Sequence, residues 1–216
     1  MSAHFCQQIS LPCTVGNLEG RLTYREENRE KTGVILCPPH PLLAGNMENN
    51  VIVALTRTLA HHFPVLSFNY RGVGKSSKPD PDLPLFEYWN RLDTNNDFSE
   101  IIADTEQVIG LSGRYFKRFH LVGYSFGSFI GLSALPENAL SFAAITPPLA
   151  EHDFKRLGSL SCKTFFLFAE KENLLTEKKA GLPGEAVVRE IAESDHFFLG
   201  REQEVADLLE SFLRAV

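Results

Sequence analysis

The chain has 216 residues, 44% hydrophobic and 22% charged, with 21 Lys and Arg against 27 Asp and Glu for a formal charge of −6. At roughly 150 residues per domain this predicts one domain over 1–216, large enough to close a core without metal or disulfide staples. The acidic balance and the lack of any basic block exclude a nucleic-acid-binding surface, and the composition excludes wholesale disorder, collagen and long coiled coils.

Residues 1–6 have neither the charged start nor the apolar stretch of a signal peptide, and no apolar run approaches the ~20 residues that cross a bilayer. The four cysteines (Cys6, Cys13, Cys37, Cys162) show no Cys-x-x-Cys spacing. They read as reduced thiols, so a cytoplasmic protein with no membrane association and no zinc is expected. The pair His61-His62 reads as surface, because adjacent helical residues point about 100° apart.

Short β-branched and aromatic runs alternate with helical patterns, the signature of a mostly parallel sheet wrapped by helices. Residues 5–11 and 18–25 predict two strands joined by a turn through Gly16-Asn17. The apolar run 32–37 predicts a strand covered on both faces. Met47, Val51, Leu55 and Leu59 fall four apart, a single helix stripe that Pro64 stops, and 65–69 returns as a buried strand. Residues 78–96, with three prolines and the sole tryptophan, predict a structureless loop insertion near the site, with Phe86, Tyr88 and Trp89 as either an apolar lip or surface packing. Asp97 and Glu100 predict a capping box opening the next helix, which carries Phe98, Ile101, Ile102, Thr105, Val108 and Ile109 on one face. Further strands are expected at 119–123, 140–146, 163–169 and 186–191. A closing helix carries Val205, Leu208, Leu209, Phe212, Leu213 and Val216.

The chemistry concentrates at Gly123-Tyr124-Ser125-Phe126-Gly127, a Gly-x-Ser-x-Gly motif between a predicted strand and a predicted helix. A strained turn there holds the Ser125 hydroxyl above the sheet, and side chains at 123 or 127 would strike neighbouring backbone. The Phe126 amide, at the helix N-terminus, would face developing negative charge. Serine needs a base. His196, between the last strand and the last helix, fits better than His120 inside a strand, His152 in an earlier loop, or His40 ahead of the nucleophile. The orienting acid is expected after the preceding strand, where Glu172, deeper in the loop, is favoured over Glu170. Gly72-Val73-Gly74-Lys75-Ser76 is no P-loop, since that motif needs Gly where Asn69 stands.

With residues 37–50, 68–76, 123–127 and 195–198, the chain resembles the α/β-hydrolase superfamily, most closely small, nearly capless bacterial serine hydrolases with a His-Pro-Leu oxyanion loop. That resemblance implies an α/β-hydrolase fold with no large cap domain and a second oxyanion donor from the backbone N–H of Leu42 or Leu43, with His40 shaping the loop. It implies a Ser125–His196–Glu172 triad that cleaves small acyl esters through an acyl-enzyme, with thioesters and amides as further candidates, and needs no metal or organic cofactor. A non-catalytic binding protein on the same fold and a peptidase or acyltransferase with the same residues are the alternatives. Departures from the family are Pro38 where His is common, Glu172 where Asp is usual, and a longer 78–96 segment. Only 23 residues lie between Glu172 and His196, so a short intervening helix is expected.

Overall fold

The computed structural model describes residues 4–28, 32–172 and 181–216. Strands β1 (His4–Cys13), β2 (Gly16–Arg25), β3 (Gly33–Cys37), β4 (Val65–Phe68), β5 (Phe119–Tyr124), β6 (Ser141–Ile145), β7 (Lys163–Ala169) and β8 (Val187–Ile191) form one eight-stranded sheet in the order β1-β2-β4-β3-β5-β6-β7-β8. Strands β4 to β8 in that order pair in parallel, while β1 and β2 add an antiparallel hairpin at one edge.

The pleat sends alternate residues of each central strand to opposite faces, and both faces are covered. Val34, Leu36, Val65, Val122, Ala143 and Leu167 meet α1 (Asn50–Leu59) and α5 (Glu202–Leu213). Ile35, Leu66, Leu121, Phe142 and Phe166 meet α2 (Leu85–Asn95), α3 (Ser99–Ser112) and α4 (Phe126–Ala134). The stripe Met47, Val51, Leu55 and Leu59 is buried as predicted, and Asn49 caps α1 by accepting the Val51 amide.

Four local expectations are corrected. The first hairpin turns at Thr14-Val15, with Cys13 opposite Gly16, because the Gly16-Asn17 segment is tied down elsewhere: Ser77 N–H donates to Asn17 C=O at 2.8 Å. The segment 78–96 is not structureless, since it contains α2 behind Pro84. Its prolines gather before Leu85, and Leu85, Tyr88, Trp89 and Leu92 then recur at helical spacing on the core side. Tyr88 and Trp89 are buried while Phe86 is exposed, and Trp89 Nε1–H donates to Arg71 C=O at 3.1 Å. No reciprocal capping box forms at α3: Asp97 accepts the Ser99 amide at 3.0 Å, but Glu100 pairs with the buried Arg71 instead. Finally, α1 starts at Asn50 and α5 ends at Leu213, so Met47 and Val216 lie off the helices whose stripes they are expected to extend. The short helix expected after Glu172 falls largely on 173–180, outside the described residues.

The chain leaves β3 toward β4 and returns on the other side of β3 to form β5. Loops after β3 and β5 therefore part at a topological switch point, where open α/β sheets hold their ligands.

Candidate active site

Ser125 stands between β5 and α4 with φ 52° and ψ −123°, a conformation that costs an ordinary residue about 1–3 kcal/mol. Packing enforces it. A Cβ on Gly127 would come within 2.2 Å of the Cys37 carbonyl oxygen, and one on Gly123 within 2.4 Å of Ser128 backbone. The turn is pinned by Ser125 N–H donating to Ile145 C=O at 2.8 Å and by Ser128 Oγ donating to Gly123 C=O at 2.8 Å.

The loops after β7 and β8 are joined to each other. Glu170 N–H donates to Ile191 C=O at 3.1 Å, Lys171 N–H to Ser194 C=O at 2.9 Å, and Glu193 N–H to the Glu170 carboxylate at 2.7 Å. Asp195 accepts the Phe197 amide at 3.0 Å, shaping the turn that carries His196. This ladder brings Glu172 Oε2 to 2.7 Å from His196 Nδ1, and His196 Nε2 lies 2.9 Å from Ser125 Oγ. All three side chains are buried, with Ser125 7%, His196 6% and Glu172 4% exposed. Between the two acids that the sequence offers, the structure brings Glu172 to the imidazole and leaves Glu170 holding the loop.

Tyr124 was not singled out from the sequence, being the variable residue ahead of the serine. Its hydroxyl donates to His196 C=O at 2.8 Å and its ring stacks on the imidazole at 5.9 Å. Burial, followed by the nearby Glu172 charge, raises its pKa and keeps it a donor.

Ser125 and His196 open into a cavity of about 420 Å³ whose apolar wall includes Leu42, Leu43, Phe98, Phe126 and Pro148. The Phe126 amide begins α4 and has no protein acceptor among the described residues. The loop after β3 forms a 3₁₀ turn over Pro41–Leu43. There the Leu43 amide donates to His40 C=O at 2.9 Å, and the Leu42 amide donates to His40 Nδ1 at 3.3 Å. Leu42 and Leu43 both line the cavity, and the amide of each has a partner on His40.

The other histidines divide clearly. His120 is buried against Ser141 Oγ at 2.8 Å, and burial, with Arg118 adding to it, pulls its pKa down to about 4. His152 lines the cavity, stacked on Phe129 at 4.3 Å. His40 also lines it, with Nε2 3.0 Å from Asp93 on α2. Burial lowers the His40 pKa, and the Asp93 carboxylate opposes that shift. Among the described residues no His, Cys, Asp and Glu side chains gather into a metal-binding group, and no helix is long and apolar enough to cross a membrane.

Residues 40–160 match the model of a family described as alpha/beta hydrolase fold. An uncharacterized protein of Rickettsia prowazekii is 27% identical over 175 residues, covering 74% of this chain and 65% of that protein's length. Among solved structures, the chain is similar to an alpha-beta serine hydrolase homologue from Coxiella burnetii, with TM-score 0.80 and 22% identity over 96% of this chain and 97% of that one. It is also similar to a serine hydrolase without lid from Xanthomonas campestris, with TM-score 0.78 and 19% identity over 97% and 94% of the two chains. An esterase of Pyrococcus furiosus follows the same fold with TM-score 0.70 and 13% identity over 98% and 92%.

Proposed function

This chain belongs to the α/β-hydrolase fold family, and from that premise we propose that it is a cytoplasmic serine hydrolase cleaving small acyl esters through an acyl-enzyme on Ser125. The observation that carries the reading is the unbroken relay of two contacts, 2.9 Å from Ser125 Oγ to His196 Nε2 and 2.7 Å from His196 Nδ1 to Glu172.

Ser125 Oγ attacks the ester carbonyl carbon while His196 Nε2 takes the hydroxyl proton. Glu172 accepts Nδ1–H, which fixes the tautomer that leaves Nε2 free and stabilises the imidazolium once it forms. The tetrahedral oxyanion receives the Phe126 amide, helped by the positive end of α4, and a second amide from the Leu42–Leu43 turn; each such donor is typically worth about 3 kcal/mol in the transition state. The imidazolium then protonates the departing alkoxide, and water repeats the sequence in reverse to free the acid. Thioesters and amides would use the same groups. A cavity of about 420 Å³ fits a small acyl group, and the four unpaired thiols fit a reducing compartment.

The test is turnover of p-nitrophenyl esters of increasing acyl length, together with labelling by a fluorophosphonate. The proposal requires both in the wild type and neither in Ser125→Ala. A wild type that neither labels nor turns over any ester would make the chain a non-catalytic member of its family.

A further inference from the structure

A second histidine–carboxylate pair looks into the same cavity. His40 Nε2 lies 3.0 Å from Asp93 Oδ1, and His40 Nδ1 lies 3.3 Å from the Leu42 amide nitrogen. One arrangement of protons satisfies both contacts. A backbone amide can only donate, so Nδ1 carries the lone pair, and Nε2 carries the proton that the Asp93 carboxylate accepts. The ring is held edge-on to Trp89 at 5.1 Å and to Phe126 at 4.8 Å. Trp89 and Asp93 stand four residues apart on α2, so one face of that helix both packs the imidazole and orients it.

The surrounding loop makes the Leu42 contact distinctive. The Leu43 and Gly45 amides both donate to the His40 carbonyl, at 2.9 and 3.0 Å, and so close the backbone turn. The Leu42 amide alone among these three is held by a side chain, through a bond at the long end of the range for N–H donors. A charged oxygen makes a bond roughly twice as strong as a neutral acceptor does. An oxyanion forming beside Leu42 would therefore outcompete a neutral ring nitrogen, whereas an uncharged ester carbonyl would gain little.

We infer that Asp93 is a positioning residue of the oxyanion hole: by holding His40 as the Nε2–H tautomer, it keeps the Leu42 amide on a weak acceptor at the cavity wall, to be passed to the substrate oxygen as that oxygen becomes charged. This rests on the hydrolase reading above. No proton changes hands in the transfer, since one hydrogen bond to Nδ1 is exchanged for one to the oxyanion. The gain arises only in the transition state, so it raises kcat and leaves KM alone. Without Asp93 the Nδ1–H tautomer becomes accessible, two N–H groups then face each other, and either the ring or the Leu42 peptide must turn away.

The experiment compares wild type with Asp93→Ala, Asp93→Asn, His40→Ala and the double variant Asp93→Ala/His40→Ala. It measures kcat and KM on one p-nitrophenyl ester, inhibition by a trifluoromethyl ketone that forms a tetrahedral adduct, and melting temperature. Asp93 has a side chain 40% exposed, so its variants should fold. The expected result for Asp93→Ala is a kcat about tenfold lower, an unchanged KM and a ketone weakened by a similar factor. Asp93→Asn, whose amide oxygen still accepts Nε2–H, should recover most of that loss. The double variant should be no worse than His40→Ala, because the carboxylate acts only through the ring. Unaltered ketone inhibition in Asp93→Ala, or additive losses in the double variant, would overturn the inference while leaving the hydrolase reading intact. A wild type without turnover or ketone binding would overturn both.

Discussion

Two imidazoles face one cavity, each with a carboxylate on one nitrogen, and they differ in what the other nitrogen meets. His196 turns its free nitrogen to a hydroxyl at 2.9 Å, and His40 turns its own to a backbone amide at 3.3 Å. A hydroxyl can surrender a proton to a base, whereas a peptide N–H can only share one. In the proposed reading the first pair serves proton transfer and the second aims a dipole. Their surroundings agree with this division. Glu172 is buried, where its charge acts strongly on the ring, while Asp93 stands 40% exposed, enough to fix a tautomer and little more.

The comparison can be broken most sharply at the first pair. Ser125→Ala and His196→Ala should each lower kcat by at least about 10⁴-fold with little change in melting temperature, measured by ester hydrolysis with active-site titration. Glu172→Gln should cost on the order of 10³- to 10⁴-fold by admitting the wrong tautomer of His196, well beyond the tenfold expected at Asp93. Equal losses at Glu172 and Asp93 would erase the distinction between the pairs.

A third histidine sharpens the contrast, since its effect belongs to stability alone. His120 is held neutral by burial, its pKa pulled from an ordinary 6.5 to about 4. Well above pH 6.5 the ring is neutral in both folded and unfolded chains, and stability is at its full value. As pH falls toward 4 the unfolded chain binds a proton that the native ring refuses, so stability drops, by on the order of 2–3 kcal/mol over that window. Denaturant unfolding at pH 7 and pH 4.5 should show this loss, and His120→Gln should reduce it by about one proton's worth without touching turnover. A smaller effect is expected at Tyr124→Phe, which strips the donor from the His196 carbonyl. It should destabilise by about 1–3 kcal/mol and lower kcat only severalfold, as seen by thermal melts alongside kinetics.

Much of this was legible in the sequence because it is written in local pattern. The Gly-x-Ser-x-Gly turn needs small residues at 123 and 127 whatever surrounds it, and the buried strands read as apolar runs because both faces are covered. Even α2 had its signal, in Leu85, Tyr88, Trp89 and Leu92 at helical spacing, masked by the prolines before it and the polar residues between. Asp93 carried no signal, for an exposed carboxylate on a helix looks the same whether or not a ring reaches it. Tyr124 was hidden likewise at a position where the motif accepts any residue.

The polymer alone therefore determined which groups could attack, accept a proton and curve the backbone, because these are properties of residue types in short runs. The choice of Glu172 over Glu170, the meeting of α2 with the loop after β3, and the partner of each imidazole nitrogen were decided by how β7 and β8 pair and how Trp89 packs. A shift of one or two residues along a loop reverses such contacts, and that register exists only once distant segments have been brought together.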